Sequence, residues 1–196
     1  MIKKLLIATK NQDKIAEIRL LLADLDVELL TLNEFPNVPD VIEDGLTLAE
    51  NAIKKAKSYF EFTKIPAVAD DTGLEVDYLN ELPGVYSARF AGENATYSDN
   101  VNKLLKKLHG IPSEKRGATF RCVVALCNEQ KTKTVEGKCE GVILEETRGE
   151  SGFGYDPVFY VPEYDCTFAE MDLELKNRVS HRAKAFLKLK ELLSPN

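Results

Sequence analysis

Apolar positions along the chain switch repeatedly between the period of a strand and that of a helix. Lys3 to Ala8 is a short apolar run of strand length, and Ile15, Ile18, Leu22 and Leu25 then recur at helical spacing, so strand passes into helix within about four residues. Val27 to Leu32 reads as the next strand. Thr47 and Glu50 have the spacing of a capping box, and Leu48, Ala52, Ile53, Ala56 and Phe60 form one face behind them, which predicts a helix of about four turns that ends before Pro66. Ile65 to Ala69 and Leu74 to Leu79 read as strands on either side of an acidic pair. Pro83-Gly84 reads as a turn, and Ser98 as the cap of a helix carrying Val101, Leu104, Leu105 and Leu108 that stops at Gly110 and Pro112.

The second half changes character. Ala118, Phe120, Cys122, Val124 and Leu126 alternate along a long strand, and Asn128 to Lys131 turn the chain into a strand around Lys133 to Lys138, so an antiparallel hairpin is expected. Val142 to Leu144 and Pro157 to Val161 supply further strands. A closing helix follows, capped by Ser180, with Val179, Ala183, Phe186, Leu187 and Leu193 as its apolar stripe. Residues 1–196 therefore read as one α/β folding unit in which helices flank a mixed sheet.

Composition narrows the class. The 196 residues, 44% hydrophobic and 30% charged, suffice for a core that needs no disulfides. A formal charge of −6 argues against a broad electrostatic footprint for nucleic acid. Cys122, Cys127, Cys139 and Cys166 lack C-x-x-C spacing and read as reduced, buried thiols. With no charged leader before an apolar stretch and no apolar run of membrane-spanning length, the expectation is a cytoplasmic protein that engages no membrane.

Four polar clusters carry candidate chemistry. Asp70-Asp71-Thr72-Gly73, at an expected strand end, offers paired carboxylates to a hard cation, although acids followed by glycine also make an ordinary turn. Thr9-Lys10-Asn11-Gln12-Asp13-Lys14 lies between the first strand and first helix, where free backbone N–H groups and the helix dipole favour an anion and lysine adds a point charge for phosphate. It is not a Walker loop, because no glycine precedes Gly45. Its plainer reading has Thr9 or Asn11 capping the helix and Lys14 solvated. Gly149 to Asp156, read G-E-S-G-F-G-Y-D, holds Phe153 between glycines as a flat surface for a base, or makes a glycine-rich turn. Lys176, Arg178, His181 and Arg182 bring basic residues to the start of the closing helix, against its dipole.

Together these clusters resemble one family. T-x-N-x-x-K behind the first strand, A-D-D-T-G-L followed by L-P-G-V-Y-S-A-R-F, G-F-G-Y-D-P-V-F and the closing K-N-R-V-S-H-R are similar to the inosine triphosphate pyrophosphatase family, in its prokaryotic branch, from Thr9 to about Leu192. The resemblance implies an α/β fold with a long mixed central sheet, two lobes around a nucleotide cleft, a homodimer, and Mg²⁺-dependent hydrolysis of ITP, dITP and XTP to the monophosphate and pyrophosphate. It assigns Thr9, Lys10, Asn11, Gln12, Asp13 and Lys14 to the phosphates, Asp71 to catalysis and the metal, and Thr72 to the nucleotide. Phe153, Gly154, Tyr155 and Asp156 would line the base, with Lys176, His181 and Arg182 completing base and phosphate contacts. Glu43 is the choice for a second metal ligand, with Asp44, Glu50 and Asp70 as alternatives.

Those residue types suit the chemistry. A triphosphate brings about four negative charges, and Mg²⁺ retains several waters, so one or two carboxylates suffice to hold it. A donor from Arg182, protonated His181 or a backbone N–H would accept the 6-keto oxygen of hypoxanthine or xanthine and stand unpaired against adenine. Two rival functions remain at this stage: a related pyrophosphatase for modified pyrimidine nucleotides, and a nucleotide-binding module without catalysis.

Overall fold

Residues 2–193, described by a computed structural model, order into eight strands of a mixed sheet and five α-helices. Contacts group them into two units, one drawn from residues 2–71, 122–137 and 180–193, the other from 72–121 and 138–179.

In the first unit, β1 (Lys4–Ile7) pairs in parallel with β2 (Glu28–Thr31) and with the start of β3 (Ala67–Val76). The strand order is β2-β1-β3-β5-β6, where β5 is Gly117–Cys127 and β6 is Thr132–Ile143. Four residues separate β1 from α1 (Gln12–Leu21), as the pattern predicts. Leu5, Ile7, Val68, Cys122, Val124 and Leu126 pack with Ile15, Ile18 and Leu22 of α1 and with Ala185, Phe186 and Leu189 of α5 (His181–Leu193). α2 (Leu48–Thr63) has the expected capping box: Thr47 Oγ1 accepts from the Glu50 N–H, and Glu50 accepts from the Thr47 N–H. Its buried stripe includes Asn51, Lys55 and Tyr59 beside Leu48, Ala52 and Ala56, while Ile53 and Phe60 are only half-buried.

In the second unit, the end of β3 pairs antiparallel with β4 (Pro83–Gly84), and the end of β6 pairs with β7 (Phe159–Val161), which pairs with β8 (Cys166–Thr167). α3 (Tyr97–Lys107) and α4 (Leu173–Val179) complete it. Phe120, Phe159 and Phe168 form the aromatic centre of its core, with ring centroids 4.6 to 5.7 Å apart. Arg116 is buried and donates to the carbonyls of Leu108, Ile143 and Leu144, at 2.5–2.7 Å.

The α/β class and mixed sheet match expectation, and the differences are local. The strands expected at Ile65 to Ala69 and Leu74 to Leu79 are one strand, β3, which runs straight through Asp70-Asp71-Thr72-Gly73 and gives way to a 3₁₀ turn at Asp77–Leu79. No turn breaks it there, because buried charges on both faces hold the acidic pair in extended backbone. Val142 to Leu144 is not separate but the end of β6. Pro83-Gly84 is a short strand rather than a turn. Ser98 lies inside α3, whose cap is Thr96 with Asp99 closing a capping box. Ser180 does cap α5 by accepting from the Ala183 N–H, but Val179 belongs to α4 and Leu187 is 61% exposed. Cys122, Cys127 and Cys139 are buried free thiols, and Cys166 is half-buried.

Candidate active site

Adjacent residues of a strand point to opposite faces, and β3 uses this to split the acidic pair. Asp70 shares the face of Val68, toward α1 and α5. There its Oδ2 lies 3.0 Å from Lys14 Nζ and 3.1 and 3.3 Å from Nη2 and Nε of Arg182. Arg182 Nη1 in turn donates to Glu17 Oε2 at 2.6 Å. Asp70 is fully buried, Arg182 is 2% exposed, and the Cys122 Sγ approaches Asp70 at 3.9 Å. Burial by itself would raise the Asp70 carboxyl, but Lys14, Arg182 and Lys55 outweigh it and hold the group far below the ordinary carboxylate range. Arg182 is likewise held above its ordinary value, since Asp70 and Glu17 more than offset its desolvation. Two carboxylates thus explain how a basic side chain stands in the first turn of α5 against the helix dipole.

Asp71 turns to the other face, toward α2. Asn51 Nδ2 donates to its Oδ2 at 3.1 Å, and Lys55 Nζ lies 3.8 Å from its Oδ1. The same ammonium is 2.7 Å from Glu43 Oε2. Asp71 is 9% exposed, and burial, helped by Glu43, pushes its pKa up despite Lys55, Lys14 and the Asn51 amide. Lys55 is desolvated too, yet Asp71, Glu43 and Asp70 keep its pKa above the ordinary lysine value. The two neighbouring carboxyls are thus shifted in opposite directions, Asp70 down and Asp71 up.

The acids considered for a second metal position now separate. Glu50 is committed to the α2 cap, Asp44 pairs with Lys54 at the surface, and Asp70 is enclosed by Lys14 and Arg182. Glu43 shares the Lys55 ammonium with Asp71, at 2.7 and 3.8 Å. Among the described residues no three His, Cys, Asp or Glu side chains gather into a metal cage. Two convergent carboxylates nevertheless fit an ion that takes its other ligands from water and phosphate.

The loop before α1 is built around its cap. Asn11 Oδ1 accepts from the Lys14 N–H at 3.0 Å, and Thr9 Oγ1 accepts from the Asn11 N–H at 3.2 Å. Lys10 pairs with Asp40 at 2.5 Å, and Gln12 and Asp13 are exposed in the first turn. Lys14 is not solvated: its side chain is 14% exposed and reaches Asp70.

A separate cluster forms in the second unit. Asp156 Oδ2 accepts from the Phe153 N–H at 2.8 Å and from Lys176 Nζ at 2.6 Å, and the Lys176 ammonium lies 5.0 Å from the centre of the Phe153 ring. Gly152, at φ +75°, makes room for this contact, since a Cβ there would stand 2.2 Å from the same Asp156 oxygen. Tyr155 is 4% exposed and donates to the Ser87 carbonyl at 2.9 Å, anchoring the loop rather than lining an open surface. Gly154 and Thr72 are half-buried, and His181 is buried at the start of α5.

In the sequence reading Asp70 is an alternative metal ligand, and the structure sets it in a buried charge cluster with Lys14, Arg182 and Glu17. Arg182, expected as a donor to base or phosphate, has its guanidinium committed to Asp70 and Glu17. Three residues escaped that reading: Asn51, Lys55 and Glu17. Nothing in the local pattern of α2 marks Asn51 and Lys55, polar positions four apart beside the apolar stripe that the fold buries.

A mixed α/β fold that gathers Glu43, Asp70 and Asp71 against Lys14, Lys55 and Arg182 defines a class of protein equipped for phosphate and cation chemistry. The chain belongs to the Ham1 family, whose model matches residues 5–192. It is 53% identical over 192 residues to the dITP/XTP pyrophosphatase of Desulforamulus reducens, spanning 97% of this chain and 96% of the relative. Identity to the dITP/XTP pyrophosphatase of Vibrio cholerae is 47% over 190 residues, with 95% and 94% covered. Among solved structures, a HAM1 protein from Coxiella burnetii aligns over 98% of both chains with a TM-score of 0.88 and 42% identity. The Staphylococcus aureus Ham1 protein aligns over 97% of this chain and 98% of its own with a TM-score of 0.87 and 40% identity. The family expected from the four motifs is the family found.

Proposed function

We propose that the chain is a nucleoside triphosphate pyrophosphohydrolase that converts dITP, XTP and ITP to the monophosphate and pyrophosphate, clearing deaminated purines from the nucleotide pool. Relatives named dITP/XTP pyrophosphatase, matched at about half identity over nearly the whole chain, support the reaction. The observation that carries it in this chain is the split of the acidic pair across β3, with Asp70 against Lys14 and Arg182 and Asp71 beside Glu43 and Lys55.

In this reading water attacks the α-phosphorus, the bond from that phosphorus to the α–β bridging oxygen breaks, and pyrophosphate departs with the bond's electron pair. Asp71 takes the proton of the attacking water, a task suited to a carboxylate whose pKa has been raised toward the working pH. Asn51 holds that carboxylate in place. Glu43 and Asp71 would hold Mg²⁺, which supplies charge neutralisation of the developing pyrophosphate. Lys14, with Thr9, Lys10, Asn11, Gln12 and Asp13 around it, receives the phosphates, and Thr72 receives the nucleotide. Phe153 stacks on the base, with Gly154, Tyr155 and Asp156 shaping the loop, and Lys176, beside the Phe153 ring and Asp156, is the donor for a 6-keto oxygen. His181 remains assigned to the substrate, while Arg182 acts through Asp70. The same family reading gives a cytoplasmic homodimer.

The test is a substrate panel of ITP, dITP, XTP, GTP, ATP, dTTP and UTP, with pyrophosphate and orthophosphate measured separately. Pyrophosphate from the first three is expected. Release of orthophosphate alone would remove the cleavage position, turnover confined to dTTP and UTP would remove the base assignment, and binding without turnover would remove catalysis.

A further inference from the structure

The two carboxylates read above as metal ligands already share a cation, and it is part of the chain. Lys55 Nζ lies 2.7 Å from Glu43 Oε2 and 3.8 Å from Asp71 Oδ1, on a side chain 8% exposed. Its placement is firm, because α2 is fixed at its start by the Thr47–Glu50 capping box, and Asn51, one turn before Lys55, binds the other oxygen of Asp71. One helix face thus presents an amide and an ammonium to the same acid.

We propose that Lys55 is the resident counter-cation of the metal position, so that a divalent ion reaches Glu43 and Asp71 only as the ammonium leaves them, and metal and triphosphate therefore bind as a cooperative pair. The proposal rests on the reading of Glu43 and Asp71 as metal ligands. Its physical basis is the cost of crowding. A divalent ion on these oxygens would stand within a few ångströms of a buried ammonium, and like charges at that distance repel strongly where water is scarce. If the ammonium withdraws with nothing to receive it, a buried charge is left without its partners, which is costly in turn. A triphosphate removes that penalty. Its oxygens lie beside the metal they bind, within reach of a lysine tethered by four flexible carbons, so the ammonium exchanges carboxylates for phosphate as the metal takes its place. Coupling of this kind is reciprocal, so metal tightens nucleotide by the factor by which nucleotide tightens metal.

The experiment measures Mn²⁺ binding to the purified full chain by electron paramagnetic resonance, alone and with the non-hydrolysable α,β-methylene analogue of ITP. Wild-type chain is expected to bind Mn²⁺ weakly alone and at least about tenfold more tightly with the analogue present. Lys55→Met should bind Mn²⁺ alone at least about tenfold more tightly than wild type and lose most of the analogue's enhancement, whereas Lys55→Arg, which keeps the charge, should gain nothing. Wild-type affinity indifferent to the analogue, or a Lys55→Met chain no tighter than wild type, overturns the proposal. Adding Glu43→Gln to Lys55→Met separates the two levels. Loss of the gained affinity supports both, and a gain that survives places the ion elsewhere and overturns the metal-ligand reading itself. Thermal melting followed by circular dichroism guards against a folding defect. Lys55→Met should melt below wild type in chelator and recover on adding Mn²⁺, as external charge replaces the missing ammonium, and a deficit that Mn²⁺ leaves untouched counts against the proposal.

Discussion

Asp70 and Arg182, 112 residues apart in sequence, meet in a buried contact: Nη2 and Nε of Arg182 lie 3.1 and 3.3 Å from Asp70 Oδ2, and both residues are at most 2% exposed. A buried pair of this kind is weak evidence for net stability, yet removing one partner strands the other. Arg182→Ala strips the guanidinium from two buried acids, Asp70 and Glu17. It is expected to lose about 3–5 kcal/mol in urea unfolding, whereas loss under about 1 kcal/mol would mean that water or a neighbour replaces the guanidinium. Glu17→Gln keeps the Asp70 contact and should cost less.

The same pair sets a pH dependence. The folded pKa of Asp70 is depressed, so its linkage contribution to stability is complete above the ordinary carboxylate pKa of about 4 and is lost progressively as pH falls through the folded value. Removing Arg182 raises the folded pKa and shrinks that contribution. The acid-unfolding midpoint of Arg182→Ala, followed by circular dichroism, is expected at higher pH than that of wild type, and coincident midpoints would show that Lys14 and Lys55 hold the carboxyl down without Arg182.

Asp71 moves in the opposite direction, and its prediction is kinetic. Its carboxyl is raised by burial and by Glu43 in the metal-free chain, and a divalent cation held beside it would counter that shift. Asp71→Asn removes the proton acceptor but keeps a group able to meet Asn51. Turnover is expected to fall by about 10²-fold or more, with calorimetric affinity for the α,β-methylene analogue of ITP changed far less. A variant losing both in proportion would make Asp71 a binding residue only.

What the sequence made legible and what it hid follow from the range of each interaction. The β1–α1 passage, the α2 capping box and the alternating strand β5 rest on spacings of two to four residues, and all three stand as read. β3 does not, because acids before a glycine have turn propensity, and only Lys14, Lys55 and Arg182, drawn from three helices, hold them extended. Ser98 was a reasonable cap two residues late, since Thr96 and Asp99 satisfy the same rule. At the site, residue types announced Lys14 and Asp71, but the partners Glu17 and Asn51 are set by tertiary contact. No local spacing tells a solvated glutamate from one bound to an arginine 165 positions away.

Phe153 tests the base assignment apart from the phosphate chemistry. Its ring is half-buried with the Lys176 ammonium 5.0 Å from its centre, and stacking on an aromatic side chain contributes about 1–3 kcal/mol per base. Phe153→Ala should raise KM for ITP by roughly 5- to 150-fold, while each turnover still yields one pyrophosphate. Phe153→Leu, which keeps apolar area without the flat ring, should fall between. An unchanged KM would move the base elsewhere.

Gly137 of β6 decides whether α5 can sit where Arg182 needs it. A Cβ added there would stand 2.2 Å from the His181 carbonyl oxygen and 2.4 Å from the Ala185 N, both backbone atoms with no rotamer to yield. The helix must therefore shift, and with it the guanidinium bound to Asp70. Gly137→Ala is expected to lose about 1–3 kcal/mol or more in urea unfolding and to reproduce, in weaker form, the acid sensitivity of Arg182→Ala. Gly110→Ala is the control: its φ of +74° carries a conformational cost of about 1–2 kcal/mol, but nothing lies within 4 Å of the new Cβ. Its acid midpoint should shift no more than that stability loss requires. If Gly137→Ala matches this control in both measurements, α5 has room to adjust without disturbing Asp70, and the strand–helix contact is not what positions Arg182.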